Sequence, residues 1–151
     1  MPGGRIGDDL AVPASTRAVF LKAHGTGTSP LADRWLQGGS SLVDPGRTAF
    51  PRRPRIVGGD RLLLYAAGWR CVVGVAEVLD APSTDVPSPA DPRRWPWSVA
   101  VELLIVVPLL SNAPPREAIG VSPRSMSQHS HIRVEERHLE LALEALGGVG
   151  R

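Results

Sequence analysis

Two tryptophans, Trp95 and Trp97, flank a single proline immediately after Arg93 and Arg94. In an extended segment, residues two apart project to the same side, and a pair of indole faces is a surface on which flat heterocycles stack. Four tryptophans against two phenylalanines and one tyrosine is a skewed use of aromatic residues. A third tryptophan, Trp69, falls at an expected hairpin turn. Positive charge is nearly all arginine, with Lys22 the only lysine among 17 basic residues. Between Arg47 and Arg70 stand Arg47, Arg52, Arg53, Arg55, Arg61 and Arg70 against Asp60 alone, so six minus one gives a local +5 in a chain whose net charge is +2. The planar guanidinium fork suits phosphate oxygens and also stacks on rings. Arg52, Arg53, Arg55, Arg93 and Arg94 are therefore the candidate phosphate contacts. Plainer readings stand beside these: a solvated charge run, Trp97 as a core anchor at a strand start, Trp95 as a cover on the core, and Trp69 as an exposed turn residue.

Other chemistries find less in the sequence. The strand, loop and helix order around HGTGTSP at 24–30 would aim backbone N–H groups at a phosphate. It lacks both the Gly-Lys-Ser/Thr ending of a P-loop and the GxGxxG spacing. His129 and His131, with His138 further on, could share a metal, but no cysteine or carboxylate completes a familiar spacing. There is no GxSxG elbow, and Ser127, Ser130 and the nearby histidines form no known triad order. Cys71 is the single cysteine and lies in an apolar run, so no intrachain disulfide forms and a buried thiol is expected. Neither catalytic residues, a metal nor a cofactor is expected.

With 42% hydrophobic and 21% charged residues, 151 residues suit one folded domain. Asp8 and Asp9 stand where a signal peptide would be apolar, and Val99 to Leu110 is too short to span a bilayer and contains Glu102 and Pro108. A soluble cytoplasmic protein without membrane contact is expected.

The elements that must position these residues follow from local signals. Residues 1–15, rich in Gly, Pro and Asp, read as a flexible segment, 16–146 as the domain, and 147–151 as a disordered tail. Arg17 to Ala23 has strand length. Ser29-Pro30 and Gly38-Gly39 bracket a short expected helix, Leu31 to Gln37. Gly58-Gly59-Asp60 turns into RLLLYA, and Gly68 separates it from CVVGVAEVL, giving antiparallel strands at Arg61 to Ala66 and Cys71 to Leu79. Gly74 inside the second suggests a bulge or close backbone approach. Ser98 to Val107 is a third strand. Asp80 to Arg94, with four prolines, is a long exposed loop. Beyond it come helical turns near Pro115 to Ile119 and Pro123 to Gln128, a strand His131 to Val134, and a helix Glu135 to Leu146 with Leu139, Leu143 and Leu146 on its buried face and Gly147 as its stop. Its acidic residues Glu135, Glu136, Glu140 and Glu144 should face away from nucleic acid. Strands framed by helices at both ends of the chain favour a small α+β barrel over an alternating βαβ sheet.

GDRLLLYAAGWRCVVGVAEV, residues 59–78, resembles the central hairpin of the EVE domain, a relative of the PUA, ASCH and YTH domains. AVFLKA upstream resembles that family's first strand, DPRRWPWSVAVELL its tryptophan and following strand, and QHSHIRVEERHLELALEAL its closing serine, strand and helix. The blocks occur in the family's order across residues 17–146. The resemblance implies a PUA-like β-barrel of five to six strands, flanked by short helices and closed by a C-terminal helix. It further implies a non-enzymatic domain that takes an extruded or single-stranded base of DNA or RNA, modified bases included, into an aromatic-walled pocket. Trp95 and Trp97, with Lys22 and His24 from the first strand's end, Trp69, and Ser130 from the closing strand, are the base-binding candidates. Two departures fall on the same region. Lys22 is followed by Ala23-His24-Gly25 where relatives continue into Ser-Glu-Pro, and Ser41 and Leu42 stand where they carry a tryptophan, Trp35 lying six residues early. A nucleotide-metabolite binder or small enzyme using the 24–30 loop, and a ligand-free protein-interaction module using the proline-rich loop, are the alternatives.

Overall fold

A computed structural model describes residues 17–25, 30–37, 41–43, 46–121 and 130–148. They form six strands, β1 (Val19–His24), β2 (Gly46–Phe50), β3 (Arg61–Ala66), β4 (Cys71–Val78), β5 (Trp97–Val106) and β6 (His131–Val134), followed by one helix, α1 (Glu136–Gly148). The strands make one sheet in the order β2-β5-β4-β3-β1-β6. Only the β1–β3 pair is parallel.

Alternate side chains of the central strands go to two different cores. Leu62, Leu64 and Ala66 enter one with Phe20, Phe50, Val99 and Trp35. Leu63 and Tyr65 enter the other with Val19, Leu21, Leu139 and Ala142. Burial on both faces explains why RLLLYA is an uninterrupted apolar run rather than an alternating one. In β4 the parity changes part-way: Cys71 and Val73 belong to the first core, but so do Ala76 and Val78. The slip is a bulge. Leu64 pairs with Gly74 and Tyr65 with Val72, which leaves Val73 as the extra residue. A Cβ on Gly74 would stand 2.7 Å from the Ile105 carbonyl oxygen, so the close approach expected there is present.

The bulge and a second register shift against β5 bend the sheet into a half-barrel. Strands β1 and β2, far apart in sheet order, face each other: His24 Nε2 lies 3.1 Å from Thr48 Oγ1. Phe50 of β2 meets His131 of β6 edge to face, with ring centroids 5.0 Å apart. The Gly58-Gly59-Asp60 turn is held by its aspartate, which accepts from the Ala18 N–H at 3.2 Å and the Val57 N–H at 3.0 Å, fixing the start of β3 against β1.

Two expectations need correction. Leu31 to Gln37 is a turn over 33–36 rather than a helix. Its polar groups bond elsewhere: Trp35 Nε1 donates to the Val107 carbonyl (2.8 Å), Asp33 accepts the Ser111 N–H through its side chain, and the Asp33 carbonyl accepts from Leu110. The helix α1 starts one residue later than read and runs through Gly147 to Gly148. Its buried face is His138, Leu139, Ala142 and Leu146, whereas Leu143 is exposed. The i, i+4 and i+8 ridge of 138, 142 and 146 centres the face, and Leu143 sits about 100° away from it. The loop from Asp80 is long and mostly exposed, as expected, and is tethered where Ser83 and Ser98 exchange two backbone bonds of 3.0 Å. The turn near Pro115 is a 3₁₀ helix, Arg116–Ile119; Pro123 to Gln128 lies outside the described residues.

Gly74→Ala is expected to cost about 1–3 kcal/mol of stability, because the backbone at Ile105 cannot yield as a side chain would. Gly58→Ala, whose Cβ would find its nearest neighbour at 3.5 Å, should be neutral or slightly stabilising. Urea denaturation of the two variants beside the parent checks the contrast.

Candidate functional site

The curl leaves a cleft of about 340 Å³ between the end of β1 and the near face of β2. Lys22 and His24 share one face of β1 and point into the half-barrel, as Phe20 does one step earlier. Thr48 and Ala49 form the opposite wall, Ser41 a third side, and the loop residues Pro89, Ala90 and Trp95 the rim. Trp95 is placed by a turn in which its N–H donates to the Asp91 carbonyl at 2.8 Å and its own carbonyl accepts from Ser88 Oγ at 2.6 Å.

Lys22 dominates the cleft's electrostatics. The side chain is 3% exposed, its ammonium donates to the Ala23 carbonyl at 2.9 Å, and Nζ stands 5.1 Å from the Phe50 ring centre and 5.5 Å from that of Trp95. No carboxylate pairs with it among the described residues. Burial lowers its pKa from 10.5 to about 7, a preference for the neutral amine of roughly 5 kcal/mol. The two rings return about 0.5–2 kcal/mol each to the cation. Desolvation is the larger effect.

His24 is held neutral, its pKa well below the usual histidine value through burial first and the neighbouring Lys22 charge second. Nδ1 is buried without a hydrogen-bond partner among the described residues. The Lys22 carbonyl lies near enough to favour the charged ring slightly, though outside hydrogen-bonding geometry with it. The cleft thus offers a ring face, an amine and the hydroxyl–imidazole pair of Thr48 and His24.

A second cleft, of about 430 Å³, opens on the other side of Phe50 and His131. Phe20 and His131 floor it, and Arg52, Arg53, Arg55 and Arg133 surround it without an acidic lining residue. The guanidinium groups of Arg52, Arg55 and Arg133 make no hydrogen bond or ion pair among the described residues, and Arg53 lies 5.6 Å over the Trp97 ring.

The structure therefore brings together Lys22, His24 and Trp95 of the base-binding candidates and separates the rest. Trp97 lies in β5 opposite Phe50, packs on the first core and carries Arg53. Trp69 is 38% exposed on the β3–β4 turn and donates to the Leu31 carbonyl, away from the cleft. Ser130 bonds His131 Nδ1 through its hydroxyl and accepts the Ala23 N–H through its carbonyl, bracing β1 from outside the cleft. Arg93 and Arg94 are exposed on the turn leading to Trp95. The local +5 is smaller than counted, since Arg47 bonds Ser98 Oγ with Asp80 3.8 Å away, and Arg61 pairs with Glu77 at 3.1 Å. The 24–30 loop is described only at 24, 25 and 30, and His129 also lies outside. Among the described residues no group of metal-ligating side chains occurs, and none of their helices is long and apolar enough to cross a membrane.

Sequence reasoning missed Thr48, Phe50 and Arg133. Arg133 alternates with His131 on β6, a period-two signal that was available; Phe50 and Thr48 carry none before the curl is known.

No protein-family profile matches the chain, and no curated protein does. Among solved structures it is similar to Rpa0253 from Rhodopseudomonas palustris, with TM-score 0.51 and 17% identity over 86% of this chain and 93% of that one. It is also similar to Atu2648 from Agrobacterium tumefaciens, with TM-score 0.54 and 16% identity over 89% and 95%. At such identities the likeness extends to the fold: an α+β half-barrel of six strands with a C-terminal helix.

Because the Lys22 pKa is depressed on folding, the unfolded chain binds the extra proton between about pH 7 and 10.5. The penalty is therefore complete below pH 7 and fades as pH rises toward 10.5. Lys22→Met should be more stable than the parent at pH 6, with the difference shrinking by pH 9.5. Urea melts at both values test this; a constant difference would show that the amine stays charged in the fold.

Proposed function

We propose that this domain is a non-enzymatic reader of nucleic acid, which takes a single-stranded or flipped base into the Lys22–His24–Trp95 cleft and holds the adjoining phosphates with arginine. The observation that carries the reading is the adjacency of two unlike clefts. One offers a stacking face, the Lys22 amine and the hydrogen-bonded His24–Thr48 pair, polar groups of the kind that recognition of a base edge requires. The other, across Phe50 and His131, offers the guanidinium groups of Arg52, Arg55 and Arg133, which have no partner among the described residues, as a phosphate backbone requires. The EVE-like order of the sequence blocks supports the same reading and adds a PUA-like identity for the barrel. In this member Ser41 lines the cleft where the relatives' tryptophan would be expected, so Trp95 is its main stacking wall. Modified bases are within the class, since a serine in place of an indole leaves room for a substituent.

Titration of the protein with short fluorescent single-stranded DNA and RNA, with free nucleotides beside them, tests the proposal. Trp95→Ala should weaken oligonucleotide binding roughly 5- to 150-fold, the range for losing one stacked base, and leave the fold intact. Trp97→Ala should act chiefly on stability. Replacing Arg52, Arg55 and Arg133 by glutamine should flatten the slope of log affinity against log salt by about 2. Affinity that is equal for free nucleotides and oligonucleotides, or independent of salt, would count for the metabolite-binding alternative.

A further inference from the structure

We propose that Lys22 is a reactive amine and that the cleft captures an aldehyde carried on a flat ring by forming an imine with it. Four observations point there. The chain uses arginine at every other basic position, yet its single lysine is the residue that enters the cleft. A guanidinium cannot do what a primary amine can, because it has no nucleophilic lone pair at ordinary pH. Lys22 is buried between Phe50 and Trp95 with one hydrogen bond, to a main-chain carbonyl, and no carboxylate to hold it as a cation among the described residues. Desolvation of that kind is how a lysine becomes nucleophilic near neutral pH, and the pKa of about 7 agrees. The ring of Trp95, beside the amine on the rim, supplies the face on which an aromatic aldehyde would stack.

The chemistry balances without a co-reactant. The Nζ lone pair attacks the aldehyde carbon, a C–N bond forms, and the carbonyl π pair moves to oxygen, which takes a proton from nitrogen. The carbinolamine then expels that oxygen as water with the second N–H hydrogen, leaving a C=N bond. Both hydrogens that leave as water come from the amine itself, so the step needs no further residue, and neutral His24 beside Lys22 adds no charge to oppose it. Where the ring is a nucleobase bearing a formyl group, the inference rests on the base-reading proposal; the reactivity of the amine does not.

The full chain, incubated with pyridine-4-carboxaldehyde and cyanoborohydride, would carry the reduced adduct as a mass increase that peptide mapping assigns. At pH 7 about half of an amine with the Lys22 pKa is neutral, against about one part in 3,000 of an ordinary lysine. Lys22 is expected to label at a rate comparable with the α-amino group, with a pH midpoint near 7, and Lys22→Arg should remove that adduct alone. Labelling confined to the α-amino group, or a Lys22 rate still climbing at pH 10, would overturn the proposal. An oligonucleotide with one formylated pyrimidine, beside its unformylated twin, separates the two readings. Trapping of the small aldehyde with no binding of either strand would sustain the reactive lysine and sink the base reader. Binding of both strands with no adduct from either aldehyde would do the reverse.

Discussion

The bend at Gly74 is the constraint on which the rest of the molecule depends. Strands β1 and β2 stand four places apart in the sheet order, and a sheet without a sharp bend would keep them apart. The bulge shifts the β4 side-chain parity by one residue and brings β1 across to β2. Only then do His24 and Thr48 meet, and only then does Phe50 of β2 lie over Lys22 and against His131. The cleft is a product of curvature. No single strand contains it.

Curvature also decides the electrostatics. On a flat sheet Lys22 would project into solvent and keep its ordinary pKa. Enclosed between two rings, it loses hydration that one backbone acceptor and two weak ring contacts do not replace. The same enclosure strips His24 of solvent and leaves Nδ1 without a partner among the described residues. Two polar groups held in this way cost folding stability, and the compensation lies in the two apolar cores to either side, where residues such as Leu21, Leu63, Val72 and Phe50 are fully buried. The Asp60 carboxylate, by contrast, is buried with two backbone N–H donors and stabilises the turn it closes.

Strand identity was legible because the signals are local. Gly58-Gly59-Asp60 and Gly68 punctuate the hairpin, and β1, β3, β4, β5 and β6 all lie within two residues of the positions their apolar runs indicate. The short strand β2 was not legible, since GRTAF is too brief and too polar to stand out. Leu31 to Gln37 misled for a related reason: its Ser-Pro and Gly-Gly brackets are real, but Trp35 and Asp33 find partners in the 107–111 segment and the backbone follows them. Of the site, Lys22, His24 and Trp95 could be named from residue type and order. That Trp97 would turn to the core, and that Arg47 and Arg61 would be used internally, depends on register across strands, which a single sequence does not display.

The division between arginine and lysine then has a physical sense. Arg52, Arg55 and Arg133 surround an open cleft where a permanently charged, weakly hydrated fork can wait without an internal partner. Arginine would serve poorly at position 22, because its charge cannot be relinquished and the enclosure by Phe50 and Trp95 penalises charge. Lysine can give up its proton there, so it is the basic residue that tolerates the enclosure, and the neutral amine it becomes carries a lone pair able to accept a hydrogen bond. A molecule seated on Trp95 would meet an amine whose protonation it can itself change: a negatively charged ligand would draw the proton back, and a neutral ring with an electrophilic carbon would find the lone pair. The burial that makes Lys22 costly to fold is the same burial that makes it responsive to what enters.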